Sequence, residues 1–192
     1  SREIVRQTKM AAQGIQEMDF AIEEAIGYRN STIQLLEQRV LENIQAVQSR
    51  NDLHESANIE RMKGVKDGFN LTVEMETGTG KTYTYIRTMY ELQKKYGWSK
   101  YIVIVPSVAI REGVYKSFQV TQDHFQEMYG QKIAPFIYNS SRPQDVENFA
   151  SDSRISVMII NTQAFNKKHT NVMHEASDRF GSRKPIEIIA QT

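Results

Sequence analysis

The octapeptide Met75–Thr82, METGTGKT, constrains this chain more than any other stretch. It follows a short β-like run, Phe69–Met75, and opens an amphipathic helical stretch. Strand, glycine-rich turn, Lys-Thr and helix is the order in which a triphosphate cradle is built. Gly78 and Gly80 admit backbone angles that a side chain forbids, so amide N–H groups can turn inward. Those amides and the positive end of the following helix form a nest for phosphate oxygens. Lys81 supplies a point charge for the β- and γ-phosphates, and Thr82 a hydroxyl for Mg²⁺. The widest form of this pattern has Gly six residues before the Lys, where this chain has Met75. The competing reading is a chance glycine turn ahead of a helix.

Composition narrows the class. The chain has 192 residues, 40% hydrophobic and 24% charged, as in an ordinary soluble domain. Its formal net charge is +1, so no global basic field draws in nucleic acid, and any such contact must be local. It has no cysteine, which removes disulfides and thiolate metal sites and fits a reducing, cytoplasmic location. No apolar run reaches the roughly 18 residues needed to cross a bilayer, so no membrane partner is expected. No signal-peptide pattern opens the chain, and a start at Ser1 suggests a fragment or a processed product.

Periodicity divides the chain. Met10–Ile26 reads as a helix with Ile15, Met18, Ile22 and Ile26 on one face, and Ile33–Gln48 as a stronger one with Leu36, Val40, Ile44 and Val47 repeating. Ser49–Gly68 is polar with turn signals, a linker or insertion with room for one short helix. The expected domains are a helical segment over 1–55, a linker over 56–68 and a motor-like unit over 69–192. From Phe69 the pattern alternates. Leu71–Met75 is the expected first strand, Lys81–Tyr96 a helix stopped by Gly97, and Tyr101–Val105 a strand ended by Pro106. A helix over Val108–Tyr129, broken near Val120, comes next. Then come a strand Ile133–Tyr138, a short helix Gln144–Ala150 and a strand Ile155–Ile160, with Asn161–Gln163 in a loop. Asn166–Lys184 is polar and irregular, and Pro185–Ala190 starts a helix or a strand.

Such alternation implies an open parallel α/β sheet, with ligands beyond the carboxyl ends of its strands. Three segments fall there: Glu76–Thr82, Pro106–Arg111 and Asn161–Gln163.

The pieces NLTVEMETGTGKTYTYIRTMYEL, YGWSKYIVIVPSVAIREGVYKSF, FIYNSS and VMIINTQAFN together closely resemble the Res subunit of type III restriction enzymes, within helicase superfamily 2. METGTGKT alone indicates a helicase-like ATPase; PSVAIREGV followed by INTQAF is more particular. The resemblance implies an α/β, RecA-like P-loop NTPase domain with a parallel sheet, preceded by a helical N-terminal segment and truncated before an Asp-Glu strand. It implies that Thr77, Gly78, Thr79, Gly80, Lys81 and Thr82 hold ATP and Mg²⁺, with Lys81 and Thr82 the catalytic members and Thr82 the metal ligand. Pro106, Ser107 and Arg111 correspond to motif Ia, and Thr162 to a later motif, both touching the DNA backbone. Gln38 corresponds to a glutamine reading the adenine edge. Double-stranded DNA and a Mod methyltransferase subunit are the implied partners, with S-adenosylmethionine entering only through that subunit.

Each role has a plainer rival. Ser107 is also a good helix cap. Arg111 also reads as a solvated helix charge, Thr162 and Gln163 as turn residues, and Gln38 as a surface side chain. The four histidines lack ligand spacing, and Tyr83, Tyr85, Tyr90 and Tyr96 suit packing better than base stacking. No Asp-Glu pair follows a β run anywhere in the chain, so the isolated chain is expected to be a poor ATPase and marginally stable. The alternatives are another superfamily 2 translocase without a nuclease, or a nucleotide-binding module with no activity of its own.

Overall fold

The computed structural model describes residues 30, 31, 33, 35–61 and 69–163, with Pro143 by its backbone alone. The expected elements at 10–26 and beyond 163, and the part of the linker at 62–68, lie outside the described residues. The chain divides into two compact units, whose described parts are 33, 35–61 and 69–79 for one and 30–31 with 80–163 for the other.

In the first unit a helix α1, Glu37–Arg50, has no buried residue. It is held by polar contacts. Gln48 donates to Ser56 Oγ at 2.8 Å and accepts from the Ser56 amide at 2.9 Å, while Gln45 donates to the Ser56 carbonyl at 2.9 Å. Three bonds on one serine fold the following loop back against the helix. A two-residue strand β1, Glu60–Arg61, pairs antiparallel with β2, Phe69–Asn70. Arg61 forms an ion pair with Glu37 at the start of α1. The region read as a linker therefore carries a strand. The expected strand Leu71–Met75 does not form. Only its approach, Phe69–Asn70, is paired, and Leu71 and Val73 are exposed. Alternation of Leu71, Val73 and Met75 marks a half-buried strand only when a neighbour supplies ladder bonds, and none does so among the described residues.

The second unit is built on a parallel sheet in the order β3-β5-β4. The elements are α2 (Lys81–Tyr96), β3 (Lys100–Val105), α3 (Val108–Tyr129), β4 (Ala134–Ile137), α4 (Pro143–Ser151) and β5 (Ser156–Asn161). The middle strand, β5, is buried along its whole length, which is why its sequence is a continuous apolar run. Val157 and Ile159 face one side and join the core with Ile86, Met89 and Tyr90 of α2 and Val114, Phe118 and Phe125 of α3. Met158 and Ile160 face the other side and pack with Val146 and Phe149 of α4. This is the RecA-like α/β arrangement, helices on both faces of a parallel sheet. β3 lies at an edge, and its Ile102 and Ile104 are 42% and 57% exposed.

Gly97 stops α2 as expected, and Gly130, not singled out in the sequence, stops α3 in the same way. Gly97 and Gly130 take left-handed backbone at φ 74° and 72°, and their amides close onto Gln93 and Gln126. The expected break near Val120 is absent, and α3 runs unbroken. Val120 points to solvent, while Phe118 and Phe125 on the buried face anchor the turns on either side. One β-branched residue costs a helix only a fraction of a kcal/mol, far less than that burial returns.

Candidate functional site

Two groups of residues are candidates. The first is the glycine-rich loop. On its first half, Thr79 folds back on Glu76, with Oγ1 donating to the Glu76 carbonyl at 2.7 Å and the amide at 3.4 Å. Gly78 sits at φ 81° and Gly80 at φ 88°, both left-handed. A Cβ on either would meet nothing within 4 Å, so backbone conformation is what demands glycine there. Gly80 is the N-cap of α2, and no side chain caps that helix start. A helix start whose N-cap residue brings no side chain presents backbone amides of the kind an anion takes. Lys81 and Thr82 stand in that first turn, exposed and half-buried. Among the described residues no cluster of His, Cys, Asp and Glu could hold a metal by itself.

Helix α2 is firmly seated. Phe125, fully buried, lies 4.9 Å from the Tyr83 ring and 5.1 Å from Tyr90, and Tyr90 stacks on Tyr129 at 4.9 Å. The Tyr83 hydroxyl meets His124 Nε2 at 2.9 Å. Tyr101 donates to the Met89 and Trp98 carbonyls, and burial pushes its hydroxyl well above the usual tyrosine range. Tyr85 sits against Phe118 and Tyr96 against Trp98. All four tyrosines of α2 thus contact other aromatic rings of this unit.

The second group is where β3 and β5 end side by side. Their ladder runs in register from Lys100↔Ser156 to Val105↔Asn161. The Thr162 amide extends it by donating to the Val105 carbonyl at 2.9 Å, and Thr162 Oγ1 reaches the Pro106 carbonyl at 3.5 Å. The Pro106–Arg111 and Asn161–Gln163 segments are therefore neighbours. Ser107 does cap α3, accepting from the Ile110 amide at 3.3 Å. Arg111 is not a freely solvated charge. Its side chain is 20% exposed, Nη1 donates to Asn161 Oδ1 at 3.4 Å and Nη2 to Glu112 at 3.0 Å. Asn161 belongs to the expected Asn161–Gln163 segment but has no role of its own there; it ends β5 where a loop is expected, is 8% exposed and joins the two segments. Its signal in sequence is a single amide closing an otherwise apolar strand, SVMIIN. Gln38 lies exposed in the first turn of α1, in the other unit.

At the opposite end of the strands Lys100 is buried and donates to the Asp152 carbonyl. Burial pushes its ammonium down, against the pull of the Asp152 carboxylate. That end is structural: Asn30 also bonds the backbone of Ser99 and Lys100 there.

The family described as "Type III restriction enzyme, res subunit" matches residues 35–189. The EcoPI Res subunit of Escherichia phage P1 is 32% identical over 164 residues, covering 76% of this chain and 16% of that protein. The EcoP15I Res subunit of Escherichia coli is 32% identical over 157 residues, 72% of this chain and 16% of the relative. The StyLTI Res subunit of Salmonella typhimurium strain LT2 is 37% identical over 118 residues, 52% and 12%. The chain thus spans about a sixth, 16%, of the length of the EcoPI and EcoP15I Res subunits. On these matches, and on its parallel sheet, the chain belongs to the Res subunit family of type III restriction enzymes, whose matching part is a helicase-type domain.

Proposed function

We propose that this chain is the nucleotide-binding front of an ATP-driven motor that engages double-stranded DNA within a type III restriction complex. The observation that carries the reading is the pair of left-handed glycines, Gly78 and Gly80, opening onto the uncapped start of α2. Amides of Thr77–Thr82 would receive the phosphate oxygens, Lys81 would balance their charge and the Thr82 hydroxyl would take a place on Mg²⁺. When bound, Mg·ATP supplies the free energy for movement or switching along DNA. The Gln38 amide, which donates and accepts at once, is a side chain suited to an adenine edge. The rim that Pro106, Ser107, Arg111 and Thr162 build lies toward the sugar-phosphate backbone, with Arg111 as part of its frame and the start of α3 as an electropositive end.

Hydrolysis needs an acid that orients metal and water, and the 192 residues contain no adjacent Asp-Glu pair. The chain by itself therefore binds nucleotide without turning it over usefully. In the whole protein, cleavage follows in a nuclease domain. A Mod methyltransferase using S-adenosylmethionine selects the site, and the complex works in the cytoplasm. Among the described residues no helix is long and apolar enough to cross a membrane.

The test is calorimetric titration of Mg·ATP into the chain, and of ATPase activity in the longer gene product. Lys81→Ala should abolish the heat in the first and DNA-stimulated turnover in the second. Unchanged turnover in the Lys81→Ala long product refutes the motor assignment.

A further inference from the structure

The two carboxyl-end segments are tied in a way that changes what Arg111 does. We propose that Asn161 is a positioning residue that acts through Arg111 to hold Pro106–Arg111 and Asn161–Gln163 as one rigid rim, with Arg111 serving as an internal bracket and not as a phosphate ligand. The inference rests on the DNA-contact reading of that rim.

Asn161 ends the central strand and is the last register partner of Val105. A buried amide is costly unless its oxygen and nitrogen are both engaged. Here the oxygen accepts from Arg111 Nη1 and the nitrogen donates to Gln163 Oε1, each at 3.4 Å. The guanidinium is a planar fork, so fixing Nη1 and Nη2 fixes the whole group. Nη2 is held by Glu112, and Nε is buried with no partner among the described residues. A phosphate approaching this fork would meet the Glu112 carboxylate, a like charge already held by Nη2. The same guanidinium links the first turn of α3 to the end of β5, across 50 residues of sequence. With the Thr162 bonds to Val105 and Pro106, it closes a ring of contacts around both loop exits. Ser107, the open amides of α3 and the exposed Thr162 are left to face the ligand, at spacings the bracket sets.

The experiment measures binding of a short fluorescent DNA duplex by anisotropy across a salt series. It compares the chain with Asn161→Leu, Asn161→Asp, Arg111→Ala and the Asn161→Leu/Arg111→Ala pair. Loss of a phosphate ligand flattens the slope of log K against log salt by about 0.9. Loss of a bracket weakens binding about 3- to 10-fold and leaves the slope alone. The expected result is equal loss in Asn161→Leu and Arg111→Ala, no further loss in the pair, unchanged slopes, and recovery in Asn161→Asp, which keeps an acceptor for Arg111. Arg111→Ala alters no strand residue, so it carries the expectation if Asn161→Leu fails to fold. A flattened slope in Arg111→Ala beside normal binding in Asn161→Asp and Asn161→Leu overturns the proposal. If the unaltered chain shows no salt-dependent binding, the DNA reading falls. The bracket is then judged by amide exchange at Arg111 and Thr162: faster exchange in Arg111→Ala supports it, and equal exchange overturns it.

Discussion

Two glycine-to-alanine substitutions separate backbone demand from space in this unit. Gly80 lies at φ 88° and ψ 28°, and a Cβ there meets nothing within 4 Å. Alanine therefore adds no clash, only the cost of holding an L-residue left-handed, about 1–2 kcal/mol. The loop is exposed, so it escapes that cost by rotating out of the left-handed region, which turns the amides at the start of α2 away from a bound phosphate. Holding the bound geometry then requires the same 1–2 kcal/mol, and affinity for Mg·ATP should fall about 5- to 30-fold. Gly113 is also exposed with nothing within 4 Å, but it lies inside α3 at ordinary helical angles. Alanine there removes unfolded-state freedom and should stabilise by about 0.4–1 kcal/mol without touching nucleotide affinity. Calorimetric titration reads the first effect and urea unfolding the second. A Gly80→Ala chain that binds Mg·ATP as tightly as the unaltered one refutes the argument, because the left-handed turn would then not be the bound form.

Phe125→Ala removes the fully buried ring between α2 and α3 and should cost about 3–5 kcal/mol by urea unfolding; a loss under about 1 kcal/mol would mean that the seam does not hold the helices. Ile104→Lys on the open face of β3 should change stability by no more than about 0.5 kcal/mol while lowering self-association in sedimentation velocity, since an apolar edge strand templates pairing. A large loss of stability would show that this face is covered in the monomer. Arg154 bonds to Asp152 and holds its carboxyl below the usual carboxylate range. A depressed folded value means stability that is present above the unfolded value of about 4 and lost as pH falls through the folded one. Arg154→Ala should flatten that acid limb, and an unchanged limb would exclude the pair as its source.

Legibility in the sequence followed the source of each element's stability. Helix Lys81–Tyr96 and the strands near 101–105 and 155–160 were readable to within a residue, because glycine stops, a proline and continuous β-branched runs are local signals. Leu71–Met75 was misread because alternation reports only a willingness to be half-buried, and pairing depends on a neighbour that no local pattern names. The break near Val120 was misread for the converse reason, since tertiary anchoring by Phe118 and Phe125 overrode a weak local preference. The glycine loop was legible because its left-handed angles need a particular residue. Asn161 was not, because its importance comes from a partner 50 positions away.

The architecture also bears on how events at the glycine loop could reach the rim. Lys81 begins α2, and Ser107–Arg111 begin α3, so the two candidate sites sit on the leading ends of two helices that share one seam. Tyr83 contacts His124 and Phe125, Tyr85 contacts Phe118, and Tyr90 contacts Phe125 and Tyr129, so the contact spans most of α2. Close-packed rings do not deform smoothly; they hold one arrangement or shift to another. For the proposed nucleotide, a pull on the first turn of α2 is therefore expected to displace α3 as a body or not at all. Because Asn161 ties the start of α3 to β5, and Thr162 ties the end of β5 to the end of β3, such a displacement is expected to move both loops of the rim together. Coupling of this kind needs no contact between nucleotide and DNA, only that the seam and the bracket both stay intact.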